Sequence, residues 1–457
     1  MTATVDEQRV EELAAAFHGE LLRPGADGYE EARLVHNGLV NKRPGLIARC
    51  ATVADVAAAI ACARAGGHEI SVRGGGHNVG GSAVTDGGVM IDLSPMKAIT
   101  VDADARTLRA EGGVTWAELN DAAAAHGLAV TGGAISSTGV AGYTLGGGLG
   151  WLMSMYGLAA DNLVSVELVT AAGEVLVASE ASNADLFWAL RGGGGNFGVA
   201  TAFEFRMHPL AQIVGGLIAH PFAAAPDVLR FYRELTRDLP DELTVFAGLV
   251  HAPDGSGMKL AALVVCHVGS PEQAELDLAP ILAYGEPLMV QVGPMPYPEI
   301  NKMLDDAYPF GSLNYWKSAF TAGLDDGLID TAIERFTTVP SPMTAMLFEH
   351  FHGEVTRIGV SDTAVPHREP GYNLLITSVW TDPAATTENV AWTRESYEAL
   401  GTHLVARRWL NYLGADEDSD GVRDAYGPNY ERLTAAKRRY DPDNIFRLNQ
   451  NIPPAAG

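Results

Sequence analysis

The run Ile70-Ser71-Val72-Arg73-Gly74-Gly75-Gly76-His77-Asn78-Val79-Gly80-Gly81 decides how the rest of the chain is read. A short β-branched segment leads into Arg73, and glycines dominate the remainder of the run. Glycines let consecutive backbone N–H groups turn toward one anion, with no Cβ to block its approach. The stretch therefore reads as a phosphate cradle at the end of a strand, with Arg73 adding a cation at its lip. It lacks the Lys-Ser/Thr ending of a nucleoside-triphosphate loop, which argues against ATP. His77 stands out, because a loop working through backbone contacts needs no imidazole. Taken alone, the stretch has a competing reading as a glycine-rich surface turn with a solvated histidine.

Upstream, residues 8–21 read as an amphipathic helix with Val10, Leu13 and Phe17 on its apolar side. Thr52 can cap a second helix, Asp55 suits its positive end, and Gly66-Gly67 can close it. A strand over 69–72 then enters the cradle, an arrangement common to diphosphate cofactor sites. Downstream, Thr115 and Glu118 form a capping box for a helix running to Gly127. A second glycine-rich segment, residues 131–150, is interleaved with Ile135, Val140, Tyr143, Leu145 and Trp151. A flexible linker would not carry these, so its backbone should pack tightly against something flat or phosphorylated. A third run, residues 191–199, contains a formal G-x-G-x-x-G. It comes after a helix (185–190) and opens a strand (199–205), the reverse of a dinucleotide-fold fingerprint.

The 457 residues suffice for two or three domains, and 47% hydrophobic with 19% charged residues fits a soluble globular protein. Lys+Arg 31 against Asp+Glu 56 gives a net charge of −25, which disfavours nucleic acid and anionic membranes as partners. Cys50, Cys62 and Cys266 are too scattered for a disulfide framework or a zinc site, so no metal is expected. The N-terminal segment Met1–Gln8 lacks a basic and an apolar region, and no run reaches transmembrane length; the default expectation is a cytoplasmic protein.

The cradle, the 131–150 segment, the run from Asp185 to Val199 and the tail 426–454 together resemble the berberine bridge enzyme-like FAD oxidases, of the vanillyl-alcohol-oxidase type. The resemblance is strong over 36–205 and 421–454 and weak between. It implies an α+β protein with a two-part FAD-binding domain of the PCMH type, 1–210 and 411–457. The inserted substrate domain, 211–410, would hold one antiparallel sheet covered by helices. It implies FAD bound by Arg73, Gly74, Gly75, Gly76, His77, Asn78, Gly80 and Gly81, with His77 bonded to the flavin 8α-methyl. It further implies contacts from Ser137, Thr138, Gly139, Gly142, Tyr143 and Gly146, from Gly198 and Val199 at the adenine end, and from Asn449 and Asn451 near the isoalloxazine. Bicovalent members carry a second attachment cysteine where this chain has Ile135, and a histidine where it has Tyr143. A single covalent link is therefore expected.

No Ser/His/Asp triad or metal cluster is apparent, so the chemistry is the flavin's: oxidation of a small organic substrate with O2 as acceptor. The alternatives are a flavin-dependent oxygenase and a non-catalytic flavin-binding protein. Strands near 315–318, 346–351 and 372–380 are expected to line the substrate pocket with Tyr315, His350, His352 and Tyr372. The candidate bases are Glu349 and His350, with Tyr143 and Tyr372 behind them. Strand alternation forbids Glu349 and His350 from sharing a face. His350 is preferred, because imidazole titrates near working pH.

Overall fold

The structure, a computed structural model, describes residues 5–321 and 323–455; Met1–Thr4 of the N-terminal segment lie outside the described residues. The first capping signal is realised in both directions. Thr52 Oγ accepts from the Asp55 N–H at 3.2 Å, and Asp55 Oδ2 accepts from the Thr52 N–H at 3.0 Å. This opens the helix Val53–Gly66, which Gly67 closes in the left-handed conformation at φ 64°. The turn delivers the strand Ile70–Arg73 parallel to Val89–Asp92, which in turn runs parallel to Leu46–Arg49. The edge of this four-stranded sheet is Glu20–Leu22, paired antiparallel with Leu46–Arg49. The helix expected over 8–21 is therefore shorter, Glu7–Ala14. Its second half is spent on the edge strand, which Gly19 permits: a Cβ there would stand 1.9 Å from the Arg49 carbonyl oxygen.

A second, five-stranded antiparallel sheet runs in the order Ile99–Asp102, Thr107–Glu111, Val199–Arg206, Leu163–Val169, Val175–Ser179. Glu118 accepts from the Thr115 N–H at 2.8 Å and so starts the helix Trp116–Ala124. The second glycine-rich segment folds into the short helix Val140–Leu145 and tight turns on either side of it.

The third sheet has seven antiparallel strands in the order Met289–Met295, Ile213–Pro221, Lys259–His267, Leu243–His251, Ala345–Phe351, Gly371–Trp380, Leu313–Thr321. The helices Ala225–Leu235, Pro271–Leu282, Asp326–Thr337 and Thr386–Leu400 supply residues to one buried cluster with one of its faces. The opposite face packs against residues 149–158 and 405–412. One sheet covered by helices on one face is the expected arrangement, and the other face is left toward the glycine-rich segments.

The final helix, Tyr430–Tyr440, ends before Pro442 and leans on the helix Ala184–Leu190, where Asp185 accepts from Tyr440 Oη at 2.8 Å and from Arg439 at 2.6 Å. Phe446 enters the core of the first sheet and Ile452 that of the second. The buried Lys437 ammonium ties this tail to the third glycine run, donating to Asn196 O at 2.8 Å and Phe446 O at 2.7 Å, with Asp441 at 2.6 Å balancing its charge. Among the described residues no helix is long and apolar enough to cross a membrane.

Candidate active site

All three glycine runs and the tail meet along one cleft. Counting its open mouth, it holds about 1520 Å³ of empty space. The cradle and the second glycine segment interlock at its floor. A Cβ on Gly75 would stand 2.3 Å from Gly139 N, and one on Gly139 would stand 2.3 Å from Gly75 N. Gly76 then turns the chain at φ 70°. The two loops expose backbone to the cleft because neither carries a side chain at the crossing.

His77 lies at this crossing. Its Nε2 is 2.8 Å from Ser137 Oγ, and its ring stacks on His36 at 3.7 Å between centroids. Burial, and secondarily the neighbouring His36, push the His77 imidazolium pKa down to about 3, so the ring is neutral at working pH with a lone pair available. Asn449 also faces the cleft, and its side-chain Nδ2 is buried without a partner, as is Asn451 Oδ1. A buried polar atom left unpaired is costly unless a ligand meets it. Together, the interlocked glycines and the unpaired Asn449 amide fit an elongated diphosphate cofactor such as FAD.

Most of the expected contact residues line the cleft: Gly74 to Asn78, Thr138, Gly139, Gly142, Tyr143, Gly146, Gly198 and Asn449. Others do not. Arg73 is turned away from the lip. Its guanidinium forms a two-point pair with the buried Asp92 at 3.0 and 2.6 Å and donates to the carbonyls of Ala32 and Leu34, so it braces the sheet end instead. Gly80 faces the backbone of Ala415, and Gly81, at φ 72°, faces Val40. Both shape the loop from behind. Val199 is buried in the core beneath the first sheet. Ser137 contributes through His77.

Of the substrate-side expectations, Tyr315, His350, His352 and Tyr372 fall on the face away from the cleft, whereas Glu349, the other candidate base, lies on the cleft layer. Tyr315 points to the helix layer, where Asp416 accepts from it at 2.5 Å and Arg394 donates to it at 2.8 Å. His350 stacks on His352 at 4.8 Å and lies 5.0 Å from the Tyr372 ring, while Tyr372 Oη bonds Thr236 Oγ1 at 2.5 Å, all on that same layer. His350 is thus removed from the flavin side, and burial pushes its pKa down to about 3. Their immediate neighbours Trp316, Glu349 and Asn373 face the cleft layer, as does Leu375 further along the same strand. A strand alternates faces with period two, so Tyr315, His350, His352 and Tyr372, which share one face of the sheet, fell together on the wrong side.

On the cleft layer, Tyr412 lines the wall and donates through Oη to Glu349 Oε1 at 2.9 Å. Asn373 Nδ2 donates to the other carboxyl oxygen at 2.6 Å. Desolvation raises the Glu349 carboxyl to about 7, against the pull of these two donors. Burial pushes the phenols of Tyr412 and Tyr143 well above their ordinary value, with the Glu349 charge adding to both. Tyr143 bonds the Leu149 carbonyl and meets Trp116 edge-on at 5.7 Å. Tyr412 and Asn373 were not singled out from the sequence, nor was Asn411, which lines the cleft and donates through Nδ2 to the Tyr143 carbonyl at 3.0 Å. Asn411-Tyr412 sits at the expected domain boundary in a segment without periodicity, and no local signal marks it.

Two family models match the chain. One, described as an FAD binding domain, covers residues 44–179, and the other, described as berberine and berberine like, covers 409–453 and so includes Asn411 and Tyr412. The chain is 31% identical to (R)-6-hydroxynicotine oxidase of Paenarthrobacter nicotinovorans over 96% of its own length and 97% of that protein. It is 28% identical to an FAD-linked oxidoreductase of Dictyostelium discoideum, over 98% and 97%. The crystal structure of 6-hydroxy-D-nicotine oxidase from Arthrobacter nicotinovorans superposes with a TM-score of 0.88 at 30% identity, covering 96% of this chain and 99% of that one.

Proposed function

The chain belongs to the berberine bridge enzyme-like family of FAD-linked oxidoreductases, and from that premise we propose that it oxidises a small amine or alcohol with O2 as acceptor, its FAD bonded to His77 and its substrate proton taken by Tyr412 and Glu349. The observation that carries this reading is the hydrogen bond from the cleft-facing Tyr412 to the buried Glu349 carboxyl. FAD supplies the redox chemistry, accepting two electrons from the substrate and passing them to O2.

The rest is the chain's own work. Asn373 pins one carboxyl oxygen, so the other stays aimed at the phenol. As the substrate O–H or N–H proton moves to Tyr412 Oη, the phenol proton moves to Glu349 Oε1. A carboxyl held near 7 is suited to accept it at working pH. Around this pair Val79, Tyr308, Trp316 and Leu375 form an apolar cluster with Ile135 and Leu347, which excludes water and favours an uncharged organic body over an ionised one. The name of the 31%-identical relative supports an amine. The cofactor part would comprise 1–210 and 411–457, with 211–410 inserted as the substrate part. The packing of Phe446 and Ile452 into the first two sheets supports that division.

The test uses the yellow holoprotein. Acid precipitation should leave flavin on the wild type and release it from His77→Ala. Anaerobic addition of the right amine or alcohol should bleach the flavin, and air should restore it with peroxide release. Flavin found wholly in the acid supernatant refutes the bond to His77. A panel of amines and alcohols that leaves the flavin oxidised refutes the substrate class.

A further inference from the structure

His77 is gripped from two sides, and both jaws are anchored to one strap of the substrate part, residues 303–312. The first jaw is His36. Its ring lies against the His77 ring at 3.7 Å with the planes 26° apart, and it is buried. His36 Nε2 donates to the Tyr308 carbonyl at 2.9 Å, its backbone N–H donates to Gly76 O at 3.0 Å, and its own carbonyl accepts from Gly311 N at 2.9 Å. The second jaw is Ser137, 2.8 Å from His77 Nε2. Its neighbour Ser136 is fastened to Asp305 of the strap through both N–H, at 2.8 Å, and Oγ, at 2.6 Å. Tyr308 is itself fixed by its hydroxyl to Thr377 Oγ1 at 2.9 Å, on the cleft face of the seven-stranded sheet.

We propose that His36 is a positioning residue for flavin attachment, and that the strap, through Tyr308 and Asp305, holds His36 and the Ser136-Ser137 turn so that the His77 ring meets the flavin methyl in one orientation. The inference rests on the attachment at His77 proposed above. In that step the 8α-methyl and the imidazole each lose one proton while the C–N bond forms. The two electrons released pass through the flavin to O2, giving H2O2. A free histidine side chain rotates about two bonds. Stacking on one face and a hydrogen bond at one edge remove both freedoms without adding a charge, which is what a bond-forming ring needs. A glycine cradle alone would bind FAD equally well with the imidazole turned aside, so binding and attachment are separable.

The experiment separates them. Wild type, His36→Ala, His36→Phe and Asp305→Ala are produced in riboflavin-starved cells and loaded with FAD. Total bound flavin is read after gel filtration, and acid-stable flavin is followed over time by fluorescence in denaturing gels. His36→Ala is expected to bind FAD as the wild type does but to attach it about 10- to 100-fold more slowly, the scale of a misplaced reacting group. His36→Phe, which keeps the stack, should recover most of the rate, and Asp305→Ala should slow it. Wild-type attachment by His36→Ala, a loss of bound FAD in step with attachment, or a Phe variant as slow as Ala overturns the role of His36. Wild-type attachment by Asp305→Ala overturns that of the strap. A wild type without acid-stable flavin overturns the attachment reading and this inference together.

Discussion

Replacing Glu349 by Gln removes a charge without removing volume, and its consequences run in opposite directions for activity and stability. The Tyr412 hydroxyl now donates to Oε1 at 2.9 Å and Asn373 to Oε2 at 2.6 Å. In the variant the amide can accept from Asn373 only by presenting its own N–H to Tyr412, so the phenol proton loses its acceptor. Loss of a positioned base costs about 10²- to 10⁴-fold in rate. Anaerobic stopped-flow flavin reduction should fall by that amount, and the limb in which the wild-type rate rises with pH toward about 7 should vanish. Stability moves the other way. The carboxyl sits at about 7 in the fold against a reference of 4.5, so between these pH values the native protein binds a proton that the unfolded chain does not. Wild-type stability therefore falls as pH rises through that window, by about 1.4 kcal/mol per pH unit and about 3 kcal/mol in all. The variant lacks that loss. Its Tm relative to wild type should rise by about 3 °C between pH 4.5 and pH 8, taking the entropy of unfolding for a chain of this length. A Glu349→Gln enzyme that keeps the wild-type reduction rate and its pH limb refutes the assignment. So does a His350→Gln enzyme that loses them, since His350 lies on the opposite face.

Gly139→Ala should drive a methyl to within 2.3 Å of Gly75 N, spread the two loops and lower both flavin content and Tm; a fully loaded variant with wild-type Tm contradicts the interlock. Thr138, on the cleft wall between Ser137 and Gly139, is expected beside the reactive edge of the flavin. Thr138→Leu should slow reoxidation by O2 more than reduction by substrate, and stopped-flow traces with both half-reactions unchanged remove it from the site. His350 and His367 are buried neutral, each pushed down to about 3 from 6.5. Below pH 6.5 the unfolded chain takes up a proton at each that the native state refuses, so stability is lost as pH falls, by about 1.4 kcal/mol per unit for each group. His350→Gln should flatten the acid limb of a Tm–pH curve by one such share.

Much was legible from local sequence because it depended on local physics. Thr52 with Asp55 and Thr115 with Glu118 cap helices by bonds that span three residues. Glycine at 74, 75 and 139 reports a close backbone approach wherever its partner lies, and Asp441-Pro442 ends a helix by itself. The motifs carrying the family resemblance are of this kind, and the family matches span the cradle, the 131–150 segment and most of the tail.

What tertiary structure alone decided was orientation and long-range partnership. Arg73 looked like a phosphate ligand by position in the chain, but the buried carboxylate of Asp92, on the neighbouring parallel strand, claims its guanidinium. His350 and Glu349 are adjacent in sequence, and only the packing of one sheet face on helices and the other on the cleft determined which of them could meet a substrate. Tyr412 gained its meaning from a carboxyl 63 positions away, and His36 from an imidazole 41 positions away. A residue's type and near neighbours are enough for a cap or a turn, which close within a few bonds. The face a strand side chain takes and the atom it meets are set when distant segments bury their apolar surfaces together, and no short window of sequence contains that information.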